Sequence, residues 1–250
     1  MRFHHFLFAA SLFSTSIAIH ADGNTEAKTG FIYGVGANYS QEIYKGYSAR
    51  FIPIPVIGYK GEKLNVFGPF VSYTLLSADN VKVAFELAPS FQGFDESDSD
   101  FFIGMSKRKD SLDAGVSIEY QYGQWKTKLT SLFDVMDNSG GVEVASTVAY
   151  TLRFGPIFVE PNVSLVYESS DLVNYYYGVS ELESMENRPY FKGDSGFNVS
   201  TGVSVATPIF LGGFTRLSIN NQWFGSHITD SPLVESNHQL SVNFLFSKPF

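Results

Sequence analysis

Few side chains in this 250-residue sequence are equipped for acid–base or nucleophilic chemistry. Cysteine is absent, which removes thiolate nucleophiles, disulfides and cysteine metal ligands together. Three of the five histidines fall in the first 21 residues, leaving His227 and His238. Ser226 and Asp230 stand near His227, but a Ser–His–Asp site is defined by geometry, and no Gly-x-Ser-x-Gly elbow occurs. Glu119, Glu143 and Glu160 are candidates for a glycosidase carboxylate pair. Their companions Lys126, Lys128 and Arg153 predict ion pairs inside the fold instead.

Three further groups suggest binding. The acidic run Asp95–Asp100 offers hard oxygen donors for calcium, yet it lacks the sixth-position glycine and closing glutamate of an EF-hand loop. Lys107, Arg108 and Lys109 follow it, so exposed ion pairing at a few tenths of a kcal/mol per pair, or so, is the expectation. The same cations suit lipid phosphates at a membrane edge, at about 1 kcal/mol each. Tyr175, Tyr176 and Tyr177 offer a protein- or glycan-contacting platform of large rings with hydroxyl handles. Alternatively, Tyr175 and Tyr177 face an interior while Tyr176 joins an interfacial aromatic girdle. No catalytic residue, metal ligand or cofactor is expected.

These groups must be carried by β-strands. Phe (24) and Tyr (14) are abundant and only 17% of residues are charged, a composition that favours strands near lipid. The net charge of −8 argues against a nucleic-acid partner. Residues 1–21 read as a secretory signal peptide: Arg2, the apolar stretch Phe6–Ile19, and small Ala21 before Asp22. Residues 22–250 follow as one domain. In Ser111–Gly123, Leu112, Ala114, Val116, Ile118, Tyr120 and Tyr122 alternate with Asp113, Gly115, Ser117, Glu119 and Gln121. A strand's two-residue period makes these two opposite faces.

The same pattern recurs over Phe31–Tyr39, Val81–Gly93, Val142–Phe154, Phe197–Val205 and Leu240–Phe250, with weaker strands between. Eleven are recognisable, with Lys63–Leu76 taken as one, and Leu172–Ser180 is the expected twelfth. Long strands, aromatic residues at strand ends, and a Gly/Ser/Asn/Thr-rich polar face predict an all-β, transmembrane, up-and-down antiparallel β-barrel of about 12 strands. The apolar face would meet outer-membrane lipid. Long polar loops, Asp95–Asp110, Ser169–Asp194 and Ser226–Asn237, alternate with tight turns. The final aromatic residue, Phe250, matches the signal read by the barrel-assembly machinery, although Pro249 before it predicts a frayed last pairing.

Particular blocks go beyond periodicity. Tyr44-Lys45-Gly46-Tyr47, Pro53-Ile54-Pro55-Val56-Ile57-Gly58-Tyr59 and Gly68-Pro69 occur in order with Gly93-Phe94-Asp95, Lys107–Gly115, Asp137-Asn138-Ser139, Asn174–Ser180 and Asp230–Val234. Together they resemble the MipA/OmpV family of outer-membrane proteins across nearly the whole mature chain. In the block Lys107–Gly115, Asp110 departs from the family's serine. The resemblance implies an outer-membrane location and a non-enzymatic scaffold joining a lytic transglycosylase to a penicillin-binding murein synthase. A small porin or solute channel, or an adhesin using the long loops, is the alternative.

Overall fold

A computed structural model describes residues 29–250. The signal-peptide expectation for Met1–Ala21 lies outside them. The strands, in chain order, are β1 (Gly30–Gln41), β2 (Ala49–Lys60), β3 (Leu64–Phe67), β4 (Phe70–Ala78), β5 (Val81–Ser90), β6 (Ser111–Tyr122) and β7 (Trp125–Asp134). They continue with β8 (Val142–Tyr150), β9 (Leu152–Phe154), β10 (Ile157–Glu168), β11 (Gly196–Thr207), β12 (Phe214–Trp223) and β13 (His238–Pro249). Two short helices, α1 (Ser170–Tyr177) and α2 (Ser226–Thr229), lie in loops.

All pairings are antiparallel, and β1 pairs with β13 from Ile32–Pro249 to Ser40–Ser241, closing the sheet. β8 and β9 both pair with β10 and form one strand interrupted at Thr151. The break lies beside Pro161, which has no N–H to give to a ladder. Among the described residues the barrel therefore has twelve strands. Closure leaves no continuous edge, the condition for crossing hydrocarbon with strands.

The twelfth strand is not the expected one. Lys63–Leu76 folds as a hairpin, β3 and β4, because Gly68 takes a left-handed φ of 57° and Pro69 fits the turn that follows. The segment Leu172–Ser180 instead contains most of α1. Leu172, Val173, Tyr176 and Tyr177 are its buried residues, and their spacing places them on one helical face.

The side-chain alternation holds. On β6, Val116, Ile118 and Tyr120 are exposed outward, while Ser117 and Glu119 are 3% and 8% exposed inside. Aromatic pairs Trp125–Tyr150, Phe31–Tyr59 and Tyr33–Phe250 stand at the end carrying the tight turns, and Tyr167–Phe197 stands at the other. The last pairing does not fray: Lys248 pairs with Tyr33, Pro249 with Ile32, and the Phe250 N–H donates to the Phe31 carbonyl at 3.1 Å.

Short connections, among them Gly123-Gln124 and Gly155-Pro156, collect at the end where β1 begins and β13 finishes. In outer-membrane barrels this is the periplasmic end. The long loops 91–110, 169–195 and 224–237 collect at the outer end with 42–48. There they share an apolar core of their own: Ile43, Tyr44, Phe94, Phe102, Met105, Val173, Tyr176, Tyr177, Val179, Ile228, Leu233 and their neighbours. This cap stands over the barrel.

Candidate functional site

The two places where function could reside are the lumen and the cap. The lumen wall is chemically divided. Along β5–β12 many inward side chains are polar, and charged ones among them pair. Lys126 Nζ lies 3.0 Å from Glu160 Oε1, and the other Glu160 oxygen lies 3.3 Å from Arg216 Nη2. Thr151 Oγ1 also donates to Glu160 at 3.0 Å. Lys128 Nζ lies 3.0 Å from Glu86 Oε1, which also accepts from Ser117 Oγ at 2.6 Å. Glu119 stands in register with Lys128 and is buried. Lys82 also stands in register with Glu119, so Glu86, Glu119 and Glu160 are met by four cations, Lys82, Lys126, Lys128 and Arg216.

The lumen ion pairs expected from the sequence form, with two changes of membership. Arg153 is exposed and donates to the Gly155 carbonyl, because β9 brings it to the periplasmic end. Glu143 pairs in register with Glu168, whose carboxylate lies 3.8 Å from His227 Nε2. Glu86 and Arg216 replace them in the network. One cavity of about 40 Å³ is lined by Thr147, Asn162, Ser164, Ser204, Arg216 and Asn220 among others, with room for about three waters.

The rest of the wall carries an apolar cluster beside the buried polar residues Asn38, Ser40, Asn243 and Ser247. Ile32, Ile52, Ile54, Val56, Phe70, Ala88, Leu132 and Leu245 are buried together and pack with Phe67, Phe91 and Phe214. Sequence periodicity anticipated a polar lumen throughout. The stretch Phe51–Ile57 is apolar on both faces, and that is the signal that marks the exception.

In the cap, the Tyr44 ring stacks on Tyr177 at 5.5 Å and meets Phe94 and Phe102 edge-on. Burial pushes the Tyr44, Tyr176 and Tyr177 hydroxyls well above the ordinary tyrosine range, so all three are neutral donors. Tyr44 donates to the Tyr176 carbonyl at 3.3 Å and Tyr176 to the Lys109 carbonyl at 3.2 Å. The Lys109 N–H donates to Tyr175 Oη at 2.8 Å. Of the three tyrosines, Tyr176 and Tyr177 are therefore interior and Tyr175 is half-buried; none enters the membrane girdle.

The basic triplet divides in the same way. Arg108 forks onto Glu183 with Nη1–Oε1 at 3.0 Å and Nη2–Oε2 at 2.9 Å. Burial alone would raise the Glu183 carboxyl, but Arg108 and the N–H groups of Ser106 and Ser180 hold it at about 2. Lys107 makes an exposed 3.2 Å pair with Asp95, as the opposed charge runs predict. The Lys109 side chain is exposed. Phe250 is 82% exposed at the periplasmic end of the barrel wall.

One ion pair and one buried arginine at the cap escape sequence reasoning. Arg50 Nε meets Glu42 at 3.1 Å, both buried, and burial pushes the Glu42 carboxyl up to about 7 against the pull of Arg50. Arg188, 1% exposed, donates to the Glu183 and Ile103 carbonyls at 2.8 and 3.3 Å and also to Phe101. Glu42 and Arg188 are single charges in loops, where no periodicity reports burial.

Comparison with known proteins places this architecture. The family model described as "MltA-interacting protein MipA" matches residues 33–250. The chain is 28% identical to the MltA-interacting protein of Escherichia coli, with 90% of each chain covered. It is 26% identical to outer membrane protein Omp26La of Vibrio anguillarum, covering 88% of this chain and 87% of that one. To outer membrane protein OmpV of Vibrio cholerae it is 25% identical over 83% of this chain and 82% of that one. Among solved structures, an outer membrane channel from Pseudomonas putida F1 superposes with a TM-score of 0.44 at 9% identity, covering 89% of this chain and 97% of that one. The NanC porin gives a TM-score of 0.42 at 10% identity, covering 88% and 100%.

Proposed function

We propose a function on the premise that the chain belongs to the MltA-interacting protein MipA family, as the match over residues 33–250 shows. The protein is a non-catalytic outer-membrane anchor that holds a lytic transglycosylase, and with it a murein synthase, at the periplasmic face. The observation that carries this reading is occlusion. The polar sector of the lumen is crossed by paired charges, the rest holds a buried apolar cluster, and loops with an apolar core of their own stand over the outer end. A barrel occluded in this way serves as an anchor better than as a conduit.

The partner surface then belongs at the periplasmic end. The turn 208–213 there exposes Ile209, Phe210 and Leu211, each more than half accessible, with Leu211 held at a φ of 51°. Adjacent exposed apolar side chains of this size suit a protein contact. Affinity capture from detergent extract tests the reading: a lytic transglycosylase and a penicillin-binding synthase co-elute with the intact chain above an unrelated-barrel control. The double change I209D/L211D reduces that recovery without altering heat-modifiable gel mobility. Absence of either enzyme from the intact-chain eluate removes the assignment. The second reading, a small solute channel, draws support from the hydroxyl- and amide-lined cavity beside Arg216; it requires stepwise conductance in a planar bilayer.

A further inference from the structure

Two rows of inward side chains on β10, β11 and β12 leave a recess in the polar sector of the lumen. The lower row holds Glu160, Ser204 and Ser218, in register across the three strands. The next row toward the outer end holds Asn162, Gly202 and Asn220, also in register, and Ala149 of β8 extends it. Gly202 and Ala149 fill little space, so the wall draws back there and the cavity of about 40 Å³ occupies the gap. A Cβ at Gly202 would collide with the Asn220 amide oxygen, so the glycine lets that amide lie flat against β11. With Oδ1 turned to Gly202, Nδ2 is the group that Asn220 presents to the cavity.

The lining is richer in spare donors than in spare acceptors. Asn220 is 7% exposed, and its Nδ2 has no acceptor among the protein's own groups. The Arg216 Nε atom is buried without an acceptor as well. Among the described lining residues these are the buried side-chain atoms left unpaired, and both are N–H donors. A donor buried in that state is costly. The carboxylate, by contrast, is occupied: one Glu160 oxygen accepts from Lys126 and Thr151, and the other from Arg216. The Thr147 and Ser164 hydroxyls bond each other at 2.8 Å, which leaves one of their two hydrogens to donate elsewhere.

Charge points the same way. At the recess one carboxylate, Glu160, stands between two cations, Lys126 and Arg216. The wider network, with Glu86, Glu119, Lys82 and Lys128, keeps the same excess of four cations over three carboxylates. Water in the cavity would satisfy the donors but leave the charge unbalanced. A metal cation would meet N–H groups and repulsion. An anion answers both, and does so inside a barrel ringed by hydrocarbon, where charges are weakly screened.

We propose that this recess is a binding site for a small monovalent anion of halide size, held by Arg216 Nε, Asn220 Nδ2 and the hydroxyl of Ser218, which stands between them on the inward face of β12. Space for about three waters admits a halide with water beside it and excludes bulky organic anions.

The test uses the full chain folded in detergent micelles and unfolded by urea at constant ionic strength, with chloride replacing gluconate. A site half-filled near about 10 mM lowers the unfolding equilibrium constant about tenfold between about 1 and about 100 mM chloride. Bromide should act as chloride does. Asn220→Leu keeps the shape of the side chain and removes its N–H groups, and should abolish the response. Arg216→Met should do the same while leaving Lys126 to Glu160. Ser218→Ala, the mildest change, should weaken the response severalfold and serves where the other two fail to fold by heat-modifiable mobility. An unfolding equilibrium in the intact chain that ignores chloride overturns the proposal, and so does an undiminished chloride response in any folded variant.

Discussion

The cap and the lumen solve the same problem, burial without loose polar ends, by opposite means. The cap packs Tyr44, Phe94, Phe102, Tyr176 and Tyr177 ring against ring, with hydroxyls donating to carbonyls, as in the core of a water-soluble domain. The polar lumen packs Glu86, Lys126, Lys128, Glu160 and Arg216 charge against charge. The difference follows from what lies outside each. Water surrounds the cap, so greasy side chains go in. Hydrocarbon surrounds the barrel, so they go out and the polar row is left to pair within. One chain thus obeys two inverted burial rules, and the boundary between them falls at the outer strand ends.

The largest expected effect tests the lumen half of this contrast. Glu160→Leu strands two buried cations, Lys126 and Arg216, and should cost about 3–5 kcal/mol, the range for breaking a buried pair. Urea unfolding in detergent micelles, followed by tryptophan fluorescence, measures it; a loss under about 1 kcal/mol would mean that water already solvates these groups. On the cap side, Phe102→Ala removes a fully buried ring and should cost about 3 kcal/mol. That loss should be local: loop 91–110 becomes protease-sensitive while heat-modifiable barrel mobility stays. Simultaneous loss of both would erase the boundary.

Acidity sharpens the comparison within the cap, because two carboxyls there act in opposite directions. Glu183, held at about 2 against an ordinary 4.5, contributes stability that is present above pH 4.5 and lost as the pH falls toward 2. Glu42, raised to about 7, favours the folded cap when protonated, so its contribution grows as the pH falls from about 7 to 4.5. Protease resistance of the outer loops should therefore peak near pH 4.5–5, with E42Q flattening the neutral limb and E183Q the acid limb. Resistance rising steadily from acid to neutral pH would contradict this. Smallest of all, Lys107→Ala breaks an exposed pair with Asp95 and should shift stability by no more than about 0.5 kcal/mol.

The barrel was readable because strand alternation is a local, repeated signal. Ser111–Gly123 declared both faces without help from any other residue. The hairpin at Gly68-Pro69 was hidden because β3 has only four residues, too few to show a period, although the Gly-Pro pair itself marked the turn. Leu172–Tyr177 was misjudged because short apolar runs fit a strand or a helix equally, and the cap decided in favour of the helix. The ion pairs of Lys126 and Lys128 followed from facing; the partners Glu86 and Arg216 required the register. Arg188 and Glu42 were invisible, since burial in a loop is imposed by distant loops, not by local pattern.

Occlusion underlies both the anchor reading and the contrast drawn between cap and lumen. It is tested most directly by inserting the purified intact protein into a planar lipid bilayer and recording current. The packed lumen and covered outer end lead to a silent membrane, with insertion verified by protease protection in parallel vesicles. Reproducible stepwise conductance from verified barrels would contradict the account.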